Sequence, residues 1–221
     1  MPKRAVIVLD FETTGMSPSH GDRPIEVGAV RIENSLIVDR FQELMNPGFT
    51  ISWFIQSLTG IGNDLVAEAP PCEEVMARFA DWIGDLPLVA HNAGFDRKFL
   101  DAELALIGRH RQNPMSCTML AARRLFPEAA NHKLATLVRH CGIATDGTFH
   151  RALADAEMTG HLWIAMIDRL QERYALDQVP FSLMQELTRI GRAKADRYLR
   201  ALAEQQQVGS QALLAEGRWS R

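Results

Sequence analysis

Residues 4–12, Arg-Ala-Val-Ile-Val-Leu-Asp-Phe-Glu, are apolar on both faces. Such a run predicts a central strand covered on both sides. Thr13-Thr14-Gly15 ends it, and residues 16–24 read as a loop rich in Ser, Pro, Gly and His. Further strand patterns occupy 25–33 and 36–44, with Asn34-Ser35 turning between them. Three successive strands joined this way predict an antiparallel meander.

The period then changes from two to about 3.6 residues. After Pro70-Pro71, the spacing of Val75, Met76, Phe79, Trp82 and Ile83 predicts a helix over 72–84. Residues 86–90 form a short buried strand, and Asn92-Ala93-Gly94 leads into a helix near 95–109. A brief strand follows Pro114, then helices near 117–126 and 133–141 and a long one over 150–174. A meander followed by α/β alternation gives an α/β fold: a mixed sheet of antiparallel and parallel strands flanked by helices. Pro180 marks a boundary, beyond which short helical segments break near Gly191 and Gly209. The chain thus divides into a main domain over 1–178 and a short helical C-terminal extension over 179–221.

The 221 residues, 47% hydrophobic and 23% charged, suffice for a core that needs neither disulfides nor a structural metal. No apolar stretch reaches the roughly 18 residues of a membrane span, and the apolar run before Asp10 is too short for a signal sequence. Cys72, Cys117 and Cys141 are odd in number and far apart, which argues against a disulfide framework or zinc knuckle and for a cytoplasmic setting. The net charge of −3 hides an asymmetry: −7 over residues 1–90 and +4 over 91–221. That polarity suits carboxylates gathered for cations in one half and basic groups for phosphates in the other, or ordinary surface charge.

Candidate chemistry concentrates in three places. Asp10 and Glu12 sit at i and i+2 on the central strand, so both carboxylates project from one face. They repel, and their ionised forms need a cation. Leu88-Val89-Ala90-His91-Asn92-Ala93-Gly94-Phe95-Asp96 runs from a strand into a helix whose first turn carries Asp96. His91 reads as a hydrogen-bonded core histidine. His150-Arg151-Ala152-Leu153-Ala154-Asp155 opens the long helix, and a neutral His150 there is able to take a proton from water. Four carboxylates and one imidazole suit Mg²⁺ or Mn²⁺ rather than zinc.

Asp10-Phe11-Glu12-Thr13-Thr14-Gly15, His91-Asn92-Ala93-Gly94-Phe95-Asp96 and His150-x4-Asp155 resemble the three motifs of the DEDDh 3′–5′ exonucleases, a superfamily with a ribonuclease H-like fold. Within it the likeness is to the epsilon proofreading subunit of bacterial DNA polymerase III. It covers residues 3–175, and Ile25-Glu26-Val27-Gly28-Ala29-Val30 and Ser57-Leu58-Thr59-Gly60-Ile61 fall at the expected places. The sister class with Tyr-x3-Asp would need tyrosine at 151, where this chain has Arg151.

The resemblance implies a metal-dependent enzyme that releases nucleoside 5′-monophosphates from single-stranded or frayed DNA. Asp10, Glu12 and Asp155 would bind one of two Mg²⁺ or Mn²⁺ ions, Asp10 and Asp96 the other, and His150 would be the general base. Thr13 and Thr14 would hold the terminal 3′-hydroxyl, Met16 and Leu58 or Ile61 would pack on the last bases, and Asn92 would contact the backbone. The implied partners are a nucleic acid with a free 3′ end, single-stranded DNA first, and a DNA polymerase; no membrane is expected, and a homodimer stays open. RNA 3′-end trimming and a scaffold or binding role remain alternatives. Arg109, Arg111, Arg123, Arg124, Lys133 and Arg139, and the tail's Arg189, Arg192, Lys194, Arg197 and Arg200, suit either a phosphate track or solvated helix faces.

Overall fold

In the computed structural model, which describes residues 5–145 and 150–216, the N-terminal meander consists of β1 (Ala5–Thr13), β2 (Pro24–Glu33) and β3 (Leu36–Leu44). Then come α1 (Trp53–Thr59), α2 (Asn63–Glu68), α3 (Cys72–Ile83), β4 (Leu88–Ala90), α4 (Gly94–Leu106), β5 (Met115–Cys117), α5 (Thr118–Leu125) and α6 (Leu134–His140). The long α7 (Ala152–Tyr174) is followed by α8 (Phe181–Arg189) and α9 (Arg192–Glu216). The sheet runs β3-β2-β1-β4-β5. β1 pairs antiparallel with β2 and parallel with β4, so the expected mixed sheet forms around a central β1.

Strand parity fixes the two layers. Ile7, Leu9 and Phe11 of β1 point to one face, where they meet Val75, Met76 and Phe79 of α3 and Phe99 and Leu100 of α4. Val6 and Val8 point to the other, with Val30 and Ile32 of β2 beneath Leu162, Trp163 and Met166 of α7. Alternation puts Asp10 and Glu12 on this second face, the one covered by α7. Each fully buried aliphatic or aromatic side chain here contributes about 1.5–3 kcal/mol.

α7 lies unusually close to the sheet. A Cβ on Gly28 would meet the backbone of Ala152 and Leu153 at 2.0–2.4 Å, and one on Gly160 would lie 3.2 Å from Val30 and Ile32. Small residues on both partners therefore let the helix run along β2, with its N-terminus arriving beside Asp10, which pairs with Gly28 across the strands.

Two parts of the fold differ from expectation. The segment between β3 and Pro70 carries two short helices, α1 and α2, which the apolar pattern does not announce because so few of their side chains are buried: Ile55 and Thr59 in one, Val66 in the other. Beyond Pro180 the chain breaks at Gly191 as expected but not at Gly209, which lies inside the continuous α9. A lone interior glycine costs only about 1 kcal/mol and does not by itself stop a helix. The tail also packs: Leu183, Met184 and Leu187 of α8 and Leu199 of α9 are buried in the core shared with α5 and α7. Among the described residues, no helix is long and apolar enough to cross a membrane.

Candidate active site

Three elements converge at the C-terminal end of β1. The strand itself supplies Asp10, half-buried, and Glu12, buried. β4 is short and pairs with β1 only at Ile7 and Val8, which leaves the Phe11 N–H without a strand partner. Asp96, in the first turn of α4, fills that gap: its Oδ1 accepts from Phe11 N at 3.3 Å. This bond places Asp96 against the backbone between the two β1 carboxylates, and the side chain is 1% exposed.

α7 supplies the third group. Asp155 lies in its first turn, and its Oδ2 accepts from His150 N at 3.0 Å. His150 precedes the helix with φ +61°, a left-handed backbone that non-glycine residues rarely adopt, and its side chain is exposed. One ligand atom each from Glu12, His150 and Asp155 lies within 4.8 Å of the others.

The electrostatics follow from crowding and burial. Burial, then Asp96, Asp155, Glu12 and Glu26, hold the Asp10 carboxyl well above the usual range. Burial and the Asp155, Glu26 and Asp96 charges push Glu12 up to about 8, against a lowering by Arg151. Burial raises Asp96 to about 7, opposed by the backbone N–H groups it accepts. Burial also raises Asp155, opposed by the His150 backbone N–H and charge. Four carboxylates held this way resist ionising together, and a divalent cation among them relieves the desolvation and the repulsion. The donor set is carboxylate oxygen plus one imidazole, which fits hard cations such as Mg²⁺ or Mn²⁺ better than a thiolate-seeking metal.

A loop forms the rim beside Glu12. Thr13 Oγ1 donates to Gly15 O at 2.7 Å, and Thr14 Oγ1 accepts from Arg23 N at 3.0 Å. Asp22 accepts from Ser17 N at 2.9 Å, and Lys98 Nζ of α4 reaches Met16 O at 3.0 Å. The Met16 side chain is 72% exposed. The structure divides the expected apolar pair on α1 and its exit: Leu58 is 43% exposed, whereas Ile61 is buried among Ile25, Ile51, Ile55 and Val66. Asn92 is exposed, with φ +63°, in the turn before α4.

His91 is the core histidine its position suggests. It bonds Thr118 Oγ1 at 2.9 Å and His132 O at 3.0 Å, and burial lowers its pKa to about 4. Several of the basic residues also have structural partners. Arg109 pairs with Asp81 and Arg111 with Asp101. Arg124 donates to Ile190 O, Arg192 to Pro127 O, and Arg200 pairs with Asp196.

Sequence reasoning gave Glu26 no role, yet it is fully buried beside the site and enters the electrostatics of Asp10 and Glu12. Its signals were a charge inside the apolar stretch 25–30 and that stretch's place in the family resemblance, neither of which assigns it a partner.

Comparison with known proteins agrees with this geometry. The family model RNase_T, described as Exonuclease, matches residues 7–162. DNA polymerase III PolC-type of Bacillus cereus is 38% identical over 174 residues, which is 78% of this chain and 12% of that protein. The PolC-type polymerase of Oceanobacillus iheyensis is 42% identical over 168 residues, 76% of this chain and 12% of its own length. The chain thus spans about an eighth of these relatives. Exonuclease X in complex with 5′ overhanging duplex DNA superposes with a TM-score of 0.66 at 25% identity, covering 83% of this chain and 99% of that one. The nuclease domain of 3′hExo, a DEDDh family member bound to rAMP, shares the fold, with a TM-score of 0.65 at 23% identity over 76% of this chain and 93% of its own.

Proposed function

Because the chain belongs to the RNase_T exonuclease family and is an exonuclease, we propose that it hydrolyses the terminal phosphodiester bond at the 3′ end of single-stranded or frayed DNA, releasing nucleoside 5′-monophosphates. The observation that carries this reading is the convergence of Glu12, His150 and Asp155, with their ligand atoms within 4.8 Å, on the strand end that also bears Asp10 and the Asp96-bonded backbone. Exonuclease X, whose fold this chain shares, was solved with a DNA end, which supports DNA as the substrate.

In this reading Asp10, Glu12 and Asp155 hold one Mg²⁺ or Mn²⁺, and Asp10 with Asp96 holds a second. Such cations, when bound, would supply water activation and charge neutralisation at the leaving oxygen. His150, exposed at the mouth of the site, accepts the proton of the attacking water through its neutral imidazole. Thr13 and Thr14 receive the terminal 3′-hydroxyl on the rim built by Gly15 O and Asp22. Met16 and Leu58, both exposed, offer apolar contact to the last bases, which every base accepts alike. Ile61, 1% exposed in the cluster with Ile25, Ile51, Ile55 and Val66, offers the bases no surface. Asn92 meets the sugar-phosphate backbone at the turn before α4.

Residues 1–178 then form the exonuclease domain and 179–221 its helical extension. The similarity to PolC-type polymerases supports work alongside a DNA polymerase in the cytoplasm, as a proofreading activity. A digestion series on labelled single-stranded DNA, duplex DNA and RNA of one sequence, with Mg²⁺ or Mn²⁺, tests the substrate assignment. Fastest shortening of single-stranded DNA is expected. Preference for RNA by an order of magnitude would transfer the activity to RNA 3′-end trimming.

A further inference from the structure

Glu26 is 0% exposed on the face of β2 that α7 covers, two residues from Gly28. All its acceptor capacity is used. Oε1 accepts from Arg151 Nη2 at 3.0 Å and from Gln42 Nε2 at 2.8 Å. Oε2 accepts from Arg151 Nε at 3.2 Å and from the Ala152 backbone N–H at 3.1 Å. A carboxylate holds about four lone-pair sites, so none is left over for a cation. Glu26 is therefore not a fifth ligand, although it stands opposite Glu12 in the β1–β2 register.

What those bonds do is local and directional. Arg151 is the N-cap of α7 but makes no side-chain capping bond to its own helix, and Ala152 is the first helical residue. Its N–H is one of the orphan donors of a helix start. Glu26 caps that donor from the neighbouring strand, and its charge meets the positive end of the helix dipole. The bidentate fork with Arg151 also fixes the angle at which the chain enters the helix. Two functional groups flank this clamp: His150 one residue before Arg151 and Asp155 four residues after it. His150 has a strained φ of +61° that the surrounding bonds must hold.

We infer that Glu26 is a positioning residue: its carboxylate, tied to the Arg151 guanidinium and the Ala152 N–H, clamps the first turn of α7 onto β2 and so sets Asp155 and His150 against Asp10 and Glu12. The inference rests on the exonuclease reading of the same site. Arg151, at the position where the sister class carries its tyrosine, is then the other half of the clamp.

The test uses the full chain carrying Glu26→Gln, Arg151→Met or, as a control, Glu157→Gln. The control breaks the Arg40–Glu157 ion pair, a surface tie of the same helix to β3. Glu26→Gln puts a donor against donors, and Arg151→Met removes the fork while leaving the Ala152 cap, so one variant survives if the other fails to fold. Three quantities are read: kcat and KM on single-stranded DNA, the Mn²⁺ concentration for half-maximal rate, and Mn²⁺ affinity by calorimetry without substrate. Residues that orient ligands typically cost about 10–100-fold in metal affinity or activity when replaced. Both clamp variants should lose kcat in that range and need several-fold more Mn²⁺, with KM changed less than about threefold, while the control matches wild type. Wild-type kcat and Mn²⁺ affinity in Glu26→Gln or Arg151→Met would overturn the inference. So would losses no larger than those of the control at an equal drop in melting temperature. If wild type digests neither DNA nor RNA, the exonuclease reading fails separately. The calorimetric comparison then decides the clamp: weaker Mn²⁺ binding in the variants upholds it, and unchanged binding overturns it.

Discussion

Gly28→Ala is the smallest change that moves one half of the site against the other. The substitution adds a single Cβ, which would lie 2.0 Å from Leu153 N and 2.1 Å from Ala152 C. These are backbone atoms of α7's first turn, so no side chain can swing aside. Ordinary contact begins near 3.4 Å, so helix and strand must part by roughly 1.4 Å locally. Gly28 has no left-handed φ, so alanine fits its backbone and the whole effect is steric. Overpacking of this kind costs about 1–3 kcal/mol, or roughly 2–12 °C of melting temperature for a domain of this size. Asp155 rides on the displaced turn, and a misplacement of about 1 Å can cost on the order of 10²-fold in rate. Calorimetric melting and single-turnover digestion of 5′-labelled single-stranded DNA measure both effects. The expected variant is folded, modestly less stable and about 10²-fold slower. A variant with wild-type rate and melting temperature would refute the claim that close approach at Gly28 sets the position of Asp155.

Other consequences are as direct. Glu12, raised to about 8 from its usual 4.5, makes the cation-free fold most stable below pH 4.5 as far as this group goes, a contribution lost as pH rises through 8. His91, lowered to about 4, costs stability only below its usual 6.5, so between pH 6.5 and 8.5 the carboxylates act alone and the melting temperature in chelator should fall. Saturating Mg²⁺ or Mn²⁺ at pH 8 should restore it, by about 2.7 kcal/mol at 100 times the dissociation constant; a flat profile, or no metal effect, would count against the carboxylate cluster as a cation site. His150→Ala should slow digestion by roughly 10²–10⁴-fold; a wild-type rate in this variant assigns the base elsewhere. Truncation after Val179 removes the buried Leu183, Met184, Leu187 and Leu199 and should cost solubility or several degrees of melting temperature. An equally stable truncated chain would show that α8 and α9 are dispensable to the core.

Much of this was readable in the chain because the relevant signals are local. The unbroken apolar run before Asp10 gives the central strand, and the i, i+2 spacing gives the shared face of Asp10 and Glu12. Asp96 and Asp155 announce themselves as acids in the first turns of α4 and α7. What stayed hidden depends on contacts between distant segments. Glu26 meets Arg151 across 125 residues, and no spacing rule joins them. α1 and α2 bury too little to imprint a period. The burial of Ile61, and the packing of the tail onto α5 and α7, follow from tertiary neighbours rather than from local pattern.

We propose that carboxylates on β1, α4 and α7 hold divalent cations that act at a 3′ end. Digestion of a 5′-labelled single strand, followed with time in excess chelator and then after addition of Mg²⁺ or Mn²⁺, tests it most directly. No shortening is expected in chelator, and after metal a ladder should appear that loses one nucleotide at a time from the 3′ end. Asp10→Asn should abolish that ladder, by on the order of 10³-fold, because metal placement supplies most of the charge stabilisation. Full activity in chelator, or internal fragments from a circular strand, would contradict it.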